Sequence, residues 1–306
     1  MRVVFMGTPA FAVPSLEAVA AEHEVALVVT RPDAVRGRGK ALEPSPVKAS
    51  AEGLGLAVLE ATRMTPEALE AVRAAAPDVV CVVAFGCILP DELLEMAPLG
   101  AVNVHASLLP RWRGAAPIQR SVLAGDAETG VSIMRVAHEL DAGAWCRQAR
   151  VAVGEKDLDA LTAELAAAGA SELTAALAEL AAGATVWHEQ DEAQVTYAPK
   201  VTKAEMRLSP DAPAAELARR VQASGDTAPA RCSVAGRGVR VLAARVAEGA
   251  PALAAGEVLV SHGRVYLGCS EGTLEALSVK PDGKRAMEAS AWAQGLRGEG
   301  LTWGSV

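Results

Sequence analysis

The chain has 306 residues, 51% of them apolar and 22% charged, and a formal net charge of −8. That balance excludes an intrinsically disordered chain, and the acidity argues against a protein that coats nucleic acid. The length allows two domains of ordinary size or one large one, with Ala, Val and Leu building the core because aromatics make up only 3%.

Targeting signals are sparse. Met1 and Arg2 lead into an apolar run of four residues, 3–6, too short for a signal core, so no secretory signal is expected. The longest apolar stretch, 79–90, falls short of the roughly 20 residues that span a bilayer, and no membrane role is expected. The five cysteines (Cys81, Cys87, Cys146, Cys232, Cys269) are odd in number and scattered, which argues against a disulfide framework and for a reducing cytoplasm. No His/Cys pairing has zinc spacing, so no metal is expected. Charge is uneven: residues 207–306 carry 12 Lys and Arg against 10 Asp and Glu, leaving 17 against 27 before them. A neutral-to-basic C-terminal part beside an acidic body permits nucleic-acid contact on one side.

Residues 2–6 form a short strand ending in Gly7-Thr8-Pro9, and 12–21 read as a helix with Pro14 and Ser15 in its first turn. A valine-rich strand follows at 24–30. Residues 31–45 are polar, carry Gly37, Gly39 and two prolines, and read as a loop. Then come a helix at 47–53, a short strand at 57–59, a helix at 66–76, and a continuous apolar strand at 78–84 of the kind buried on both faces. A helix at 91–96, a strand at 101–105, a helix at 116–124 and a strand at 130–136 complete the first half. This alternation implies an α/β domain with a mostly parallel sheet and helices on both faces. Such sheets bind ligands beyond the carboxyl ends of their strands, so the loops after Met6, Thr30, Ala84, His105 and Val136 come under suspicion together.

Residues 160–182 are an alanine- and leucine-rich helical stretch, one helix or two. Residues 188–207 lack periodicity and read as a linker between a domain spanning 1–187 and another spanning 208–306. In the second domain a helix at 214–223 precedes short alternating runs around 232–234, 239–246, 256–260, 264–269 and 273–279. Five short strands of even spacing suggest a small barrel or sandwich.

The segment Asn103-Val104-His105-Ala106-Ser107-Leu108-Leu109-Pro110-Arg111-Trp112-Arg113-Gly114 stands apart. Asn103 and His105 are two apart on a strand and share a face, while Val102 and Val104 point the other way. A polar pair there reads either as a structural hydrogen-bonded pair or as reacting groups. The loop after it lies where function concentrates. Asp141, just past the strand at 130–136, is placed to meet His105. An Asn, a His and an Asp converging on one cleft make an acyl-transfer set.

The run from Asn103 to Ile118 resembles the signature of the 10-formyltetrahydrofolate-dependent formyltransferases. Gly7-Thr8-Pro9, Gly37-Arg38-Gly39-Lys40, Pro44-Ser45-Pro46-Val47-Lys48, Thr196-Tyr197-Ala198-Pro199-Lys200 and the stretch Lys280-Pro281-Asp282-Gly283-Lys284 extend the likeness along nearly the whole chain. Within the family the pattern is most similar to members that formylate initiator methionyl-tRNA. The resemblance implies a Rossmann-like formyltransferase domain followed by a smaller C-terminal OB-like β-barrel that grips transfer RNA. It implies a catalytic centre of Asn103, His105 and Asp141, with Asn103 and His105 donating to the developing oxyanion and Asp141 orienting His105 and helping to take the amine proton. It implies a formyl donor, 10-formyltetrahydrofolate, lined by Phe85, Gly86, Ile88, Leu89 and Pro90 and by Ser107, Leu108, Leu109 and Pro110. It implies that the basic loop enters the acceptor stem, with Arg38 at the first base pair and Arg36 and Lys40 on phosphates. A cytoplasmic monomer is expected. The family's usual Gly-Leu-Asp-x-Gly-Asp appears here as Glu139-Leu140-Asp141-Ala142-Gly143-Ala144.

Three rivals remain at this level. A formyltransferase acting on a small amine, such as a glycinamide ribonucleotide or an amino sugar, would share the same three residues; the basic loop and second domain argue for the RNA-borne amine. A nucleotide-binding oxidoreductase is disfavoured because Gly7-Thr8-Pro9-Ala10 lacks the further glycines of a dinucleotide turn. A non-enzymatic RNA-binding protein is disfavoured by the acidity and the Asn103/His105 pair.

Overall fold

A computed structural model of the chain describes residues 1–35, 42–296 and 300–306. The chain forms two compact units: one of Met1–Pro117, Glu128–Ala152 and Thr162–Ala198, the other of Ile118–Ala127, Val153–Leu161 and Pro199–Val306.

The first unit opens with β1 (Arg2–Gly7), α1 (Val13–Glu22) and β2 (Glu24–Thr30). A two-stranded ribbon of β3 (Ala34–Val35) and β4 (Leu42–Glu43) lies within the stretch read from sequence as loop. Next come α2 (Pro46–Gly53), β5 (Val58–Glu60), α3 (Pro66–Ala74), β6 (Val79–Val83), α4 (Asp91–Leu94), β7 (Ala101–His105), β8 (Glu128–Arg135) and β9 (Trp145–Ala152); α5 (Pro117–Ala124), between β7 and β8 in the chain, belongs from Ile118 onward to the second unit. Two helix starts follow from local chemistry. Ser45 and Thr65 each place an oxygen on the backbone N–H three residues on, and Pro46 and Pro66 occupy the first turn, where no N–H is needed. The stretch read as one helix or two is a single helix, α6 (Leu158–Ala181).

The sheet order is β5-β2-β1-β6-β7-β8-β9. Neighbours from β5 to β7 pair in parallel, whereas β7–β8 and β8–β9 pair antiparallel. The continuous valine runs are explained by burial on two faces. Val3, Phe5, Val79, Cys81, Val102 and Val104 pack on one side with Leu173 and Leu177, while Val4, Met6, Val80 and Val82 pack on the other with Leu69 and Leu93. Strand β9 escapes the sequence reading because it is an edge strand, rich in Arg and Gln, with only Val151 buried.

The second unit holds α7 (Ala214–Gln222), β10 (Arg231–Val234), β11 (Arg237–Val246), β12 (Val258–Ser261), β13 (Arg264–Gly268), β14 (Thr273–Pro281), β15 (Met287–Glu288), α8 (Ala289–Ala293) and β16 (Trp303–Gly304). Its antiparallel sheet runs β12-β13-β14-β11-β10-β16, with β15 on β14. The two ends of that order meet: Val258 N–H donates to Leu301 O at 3.0 Å and Trp303 N–H to Gly256 O at 2.9 Å, giving a nearly closed barrel. Cys232, Val241, Val265, Leu267, Leu274 and Trp303 fill it.

Within 188–207, the residues through Ala198 belong to the first unit. There the backbone of Arg113 donates to Thr196 O at 2.9 Å and accepts from Ala198 N–H at 2.7 Å. Among the described residues, no helix is long and apolar enough to cross a membrane.

Candidate active site

Strand parity sets the centre of the site. Val102 and Val104 lie in the core, so Asn103 and His105 face the opposite side of β7, beside Met134 and Ser132 of β8. His105 is buried at 6% exposure. Its Nε2 lies 2.8 Å from the carbonyl oxygen of Trp112. A carbonyl only accepts, so Nε2 carries the proton and Nδ1 is the edge left for other chemistry. That edge faces Asp141, with Nδ1 3.7 Å from Oδ2. The same Oδ2 accepts the Gly114 N–H at 2.9 Å. Gly114 has φ +124, and a Cβ there would stand 2.9 Å from Ala198 O, so the turn that delivers this N–H requires glycine. The Asn103 carboxamide makes no hydrogen bond among the described residues. A partly exposed amide with its NH2 unspent, beside a fixed imidazole and a carboxylate, can donate to an oxyanion and exchange protons.

The loop after His105 is tied down by groups the sequence reading did not single out. Ser132, fully buried on β8, donates through Oγ to Ser107 O at 2.7 Å. Its oxygen accepts the Leu109 N–H at 3.1 Å and Gln148 Nε2 at 2.9 Å, so the hydroxyl is fully used. Gln148, on β9, also donates to Leu109 O at 2.9 Å. Leu108 lies over Gly130, where an added Cβ would meet Leu108 Cδ2 at 2.5 Å and Ala149 O at 2.1 Å. The one available signal was Ser132 as the lone polar residue inside an apolar run; Gln148 gave none.

The proposed donor-lining residues fall into two kinds. Phe85, at 2% exposure, and Leu109, at 3%, are core side chains. Ile88 is 92% exposed, beside partly buried Leu89 and Pro90 at the carboxyl end of β6. Between them Gly86 takes φ +74, and Arg31 donates to the carbonyls of Phe85 and Gly86. Lys48, at the start of α2, is held by Asp33 at 2.8 Å and Glu60 at 2.6 Å, and these hydrogen bonds raise its pKa above the ordinary lysine value. Arg36, Arg38 and Lys40 lie outside the described residues. Among the described residues, no group of three or more His, Cys, Asp or Glu side chains could hold a metal ion.

Residues 1–177 match the family described as Formyl transferase, and residues 200–297 match Formyl transferase, C-terminal domain. The chain is 48% identical over 305 residues to a methionyl-tRNA formyltransferase of Methylobacterium sp., covering 97% of each chain. It is 44% identical over 306 residues to one of Methylococcus capsulatus, covering 98% of this chain and 99% of the relative. Among solved structures it superposes on HypX of Aquifex aeolicus, crystallised with tetrahydrofolic acid, at a TM-score of 0.65 and 17% identity, covering 95% of this chain and 46% of HypX. At that identity the likeness to HypX concerns the fold. By family match and by full-length identity to its relatives, the chain belongs to the formyl transferases, within the methionyl-tRNA formyltransferase family.

Proposed function

We propose that this enzyme transfers the formyl group of 10-formyltetrahydrofolate to the α-amino group of initiator methionyl-tRNA, yielding N-formylmethionyl-tRNA for translation initiation. The observation that carries this reading is the near-complete coverage at 44–48% identity by relatives of that one activity. The donor is a co-substrate, consumed in each turnover.

The reaction forms a bond between the amino nitrogen and the formyl carbon, passes through a tetrahedral oxyanion, and breaks the bond to the folate nitrogen, which leaves with a proton. The unspent Asn103 NH2 donates to the oxyanion. His105, anchored through Nε2 to Trp112 O, presents Nδ1 toward the reacting groups and Asp141. Asp141 takes the proton released by the attacking amine, and His105 relays a proton toward the departing nitrogen. Ser107, Leu108, Leu109 and Pro110 line one side of the donor, and Phe85, Gly86, Ile88, Leu89 and Pro90 the other. A solvent-open isoleucine on a glycine-bearing loop suits a flat, largely apolar ring system. Arg36, Arg38 and Lys40 contact the acceptor stem, and the barrel unit supplies further electrostatic grip. The enzyme works as a monomer in the cytoplasm and away from membranes; its five cysteines are all free, as a reducing compartment keeps them.

The test is transfer of labelled formyl from 10-formyltetrahydrofolate to methionyl-tRNA, run beside a His105→Ala enzyme and beside small amines. Formylation of initiator methionyl-tRNA by the native enzyme alone supports substrate and centre together. Formylation confined to a glycinamide ribonucleotide or an amino sugar would retain the donor and overturn the acceptor.

A further inference from the structure

Three consecutive residues, Trp112, Arg113 and Gly114, hold both members of the His105/Asp141 pair, and the middle one works through a residue far away in sequence. Trp112 O fixes His105 Nε2 at 2.8 Å, and the Gly114 N–H fixes Asp141 Oδ2 at 2.9 Å. Arg113 points away from both. Its guanidinium, in a residue of 2% exposure, donates through Nε to Gln190 Oε1 at 2.9 Å and through Nη2 to Glu192 Oε1 at 2.7 Å. Gln190 in turn donates both hydrogens of its Nε2 to the turn that carries Asp141: to Asp141 O and to Gly143 O, each at 2.8 Å.

The orientation of this amide is not arbitrary. Arg113 Nε can only donate, and the two carbonyls can only accept, so the Gln190 oxygen must face Arg113 and its NH2 must face the turn. The turn needs a clamp, because Asp141 sits at φ +51, a left-handed backbone that a side-chain-bearing residue rarely adopts. Asp141 is thus gripped twice from one dipeptide: at its carboxylate directly by Gly114, and at its carbonyl by Arg113 through Gln190.

We infer that Gln190, oriented by Arg113, is a positioning residue for Asp141, setting the left-handed turn that aims the carboxylate at His105. This rests on the reading of Asp141 as a reacting group. Gln190 touches neither donor nor acceptor in this role; its effect on rate runs entirely through Asp141.

The experiment is a double-mutant cycle in formyl transfer from 10-formyltetrahydrofolate to methionyl-tRNA, measured by steady-state kinetics on folded enzyme. Gln190→Leu should lower kcat by about 10- to 100-fold with KM for both substrates changed little, as a misaimed catalytic group does. Gln190→Glu keeps the acceptor for Arg113 but sets oxygens against two carbonyls, so it should be impaired as severely although the link to Arg113 survives. In an Asp141→Asn background, Gln190→Leu should cost less than about 2-fold more, because what it positions is already lost. Native turnover in Gln190→Glu, or full additivity of Gln190→Leu with Asp141→Asn, overturns the positioning role. If Gln190→Leu does not fold, Gln190→Glu and its cycle with Asp141→Asn decide alone. Full turnover in Asp141→Asn by itself would instead overturn the active-site reading.

Discussion

His105 Nδ1 stands 3.7 Å from Asp141 Oδ2, an oxygen that already accepts the Gly114 N–H at 2.9 Å. The carboxylate is therefore aimed by the backbone before any substrate arrives. Asp141→Asn keeps the shape and an oxygen for Gly114 but removes the proton acceptor. We expect kcat to fall by about 10²–10⁴-fold, the usual worth of a general acid or base, with little change in KM. Steady-state formylation of methionyl-tRNA measures it, and a variant within a few-fold of native would contradict the role.

Asn103 offers the complementary test. Its carboxamide makes no hydrogen bond among the described residues, so truncation leaves no stranded partner. Asn103→Ala should leave the melting temperature nearly unchanged while lowering kcat by about 10²–10³-fold, the cost of one oxyanion donor. A loss of stability without a loss of turnover would identify a structural pair instead.

Gly130→Ala probes the floor beneath the 107–110 loop. Its Cβ would approach Ala149 O to 2.1 Å and Leu108 Cδ2 to 2.5 Å, and backbone cannot swing away as a side-chain tip can. A destabilisation of about 1–3 kcal/mol is expected from overpacking, with a raised KM for 10-formyltetrahydrofolate as the 107–110 loop shifts. Urea unfolding and donor titration check the two parts separately.

Acid stability should depend on Glu205. Hydrogen bonds from the Arg120 guanidinium and from the N–H and hydroxyl of Thr202 hold its carboxyl at about 2, below the ordinary 4.5. A depressed carboxyl stabilises the fold above its unfolded value and loses that contribution as pH falls from about 4.5 through 2. Glu205→Gln should therefore lower the melting temperature near pH 7, with the gap to native closing as pH drops below about 4.5. A gap that is constant with pH would show that charge on Glu205 is irrelevant.

Arg38 tests the acceptor contact. Arg38→Ala should raise KM for methionyl-tRNA without altering KM for the donor, and should make activity less sensitive to added salt by about one phosphate contact. Unchanged use of methionyl-tRNA would remove the basic loop from the interface.

Some of this was legible in the amino-acid order. The unbroken apolar run of 79–83 read as a strand covered on both faces, because an alternating half-exposed strand would show polar residues at every second position. Asn103 and His105 fell on one face by parity, since a strand repeats every two residues. The barrel's short strands declared themselves through glycine turns and alternation. Each of these signals is local and needs only a few neighbouring residues.

What the tertiary structure decided is non-local. Strand β9 is charged and lies at an edge, so it lacks the apolar alternation that marks a strand. Gln190 sits in an aperiodic stretch, yet it joins Arg113, 77 residues earlier, to Asp141, 49 residues earlier. Gln148 and Ser132 likewise tie down Leu109 from other strands. Side-chain hydrogen bonds carry no periodicity along the chain; a glutamine reads the same whether it faces solvent or clamps a left-handed turn. Amino-acid order alone specified the apolar strands and which of their residues share a face, because propensity and burial act residue by residue. Only the folded chain decided how Asp141 is aimed at His105, because that depends on donors and acceptors from distant segments meeting at hydrogen-bonding distance.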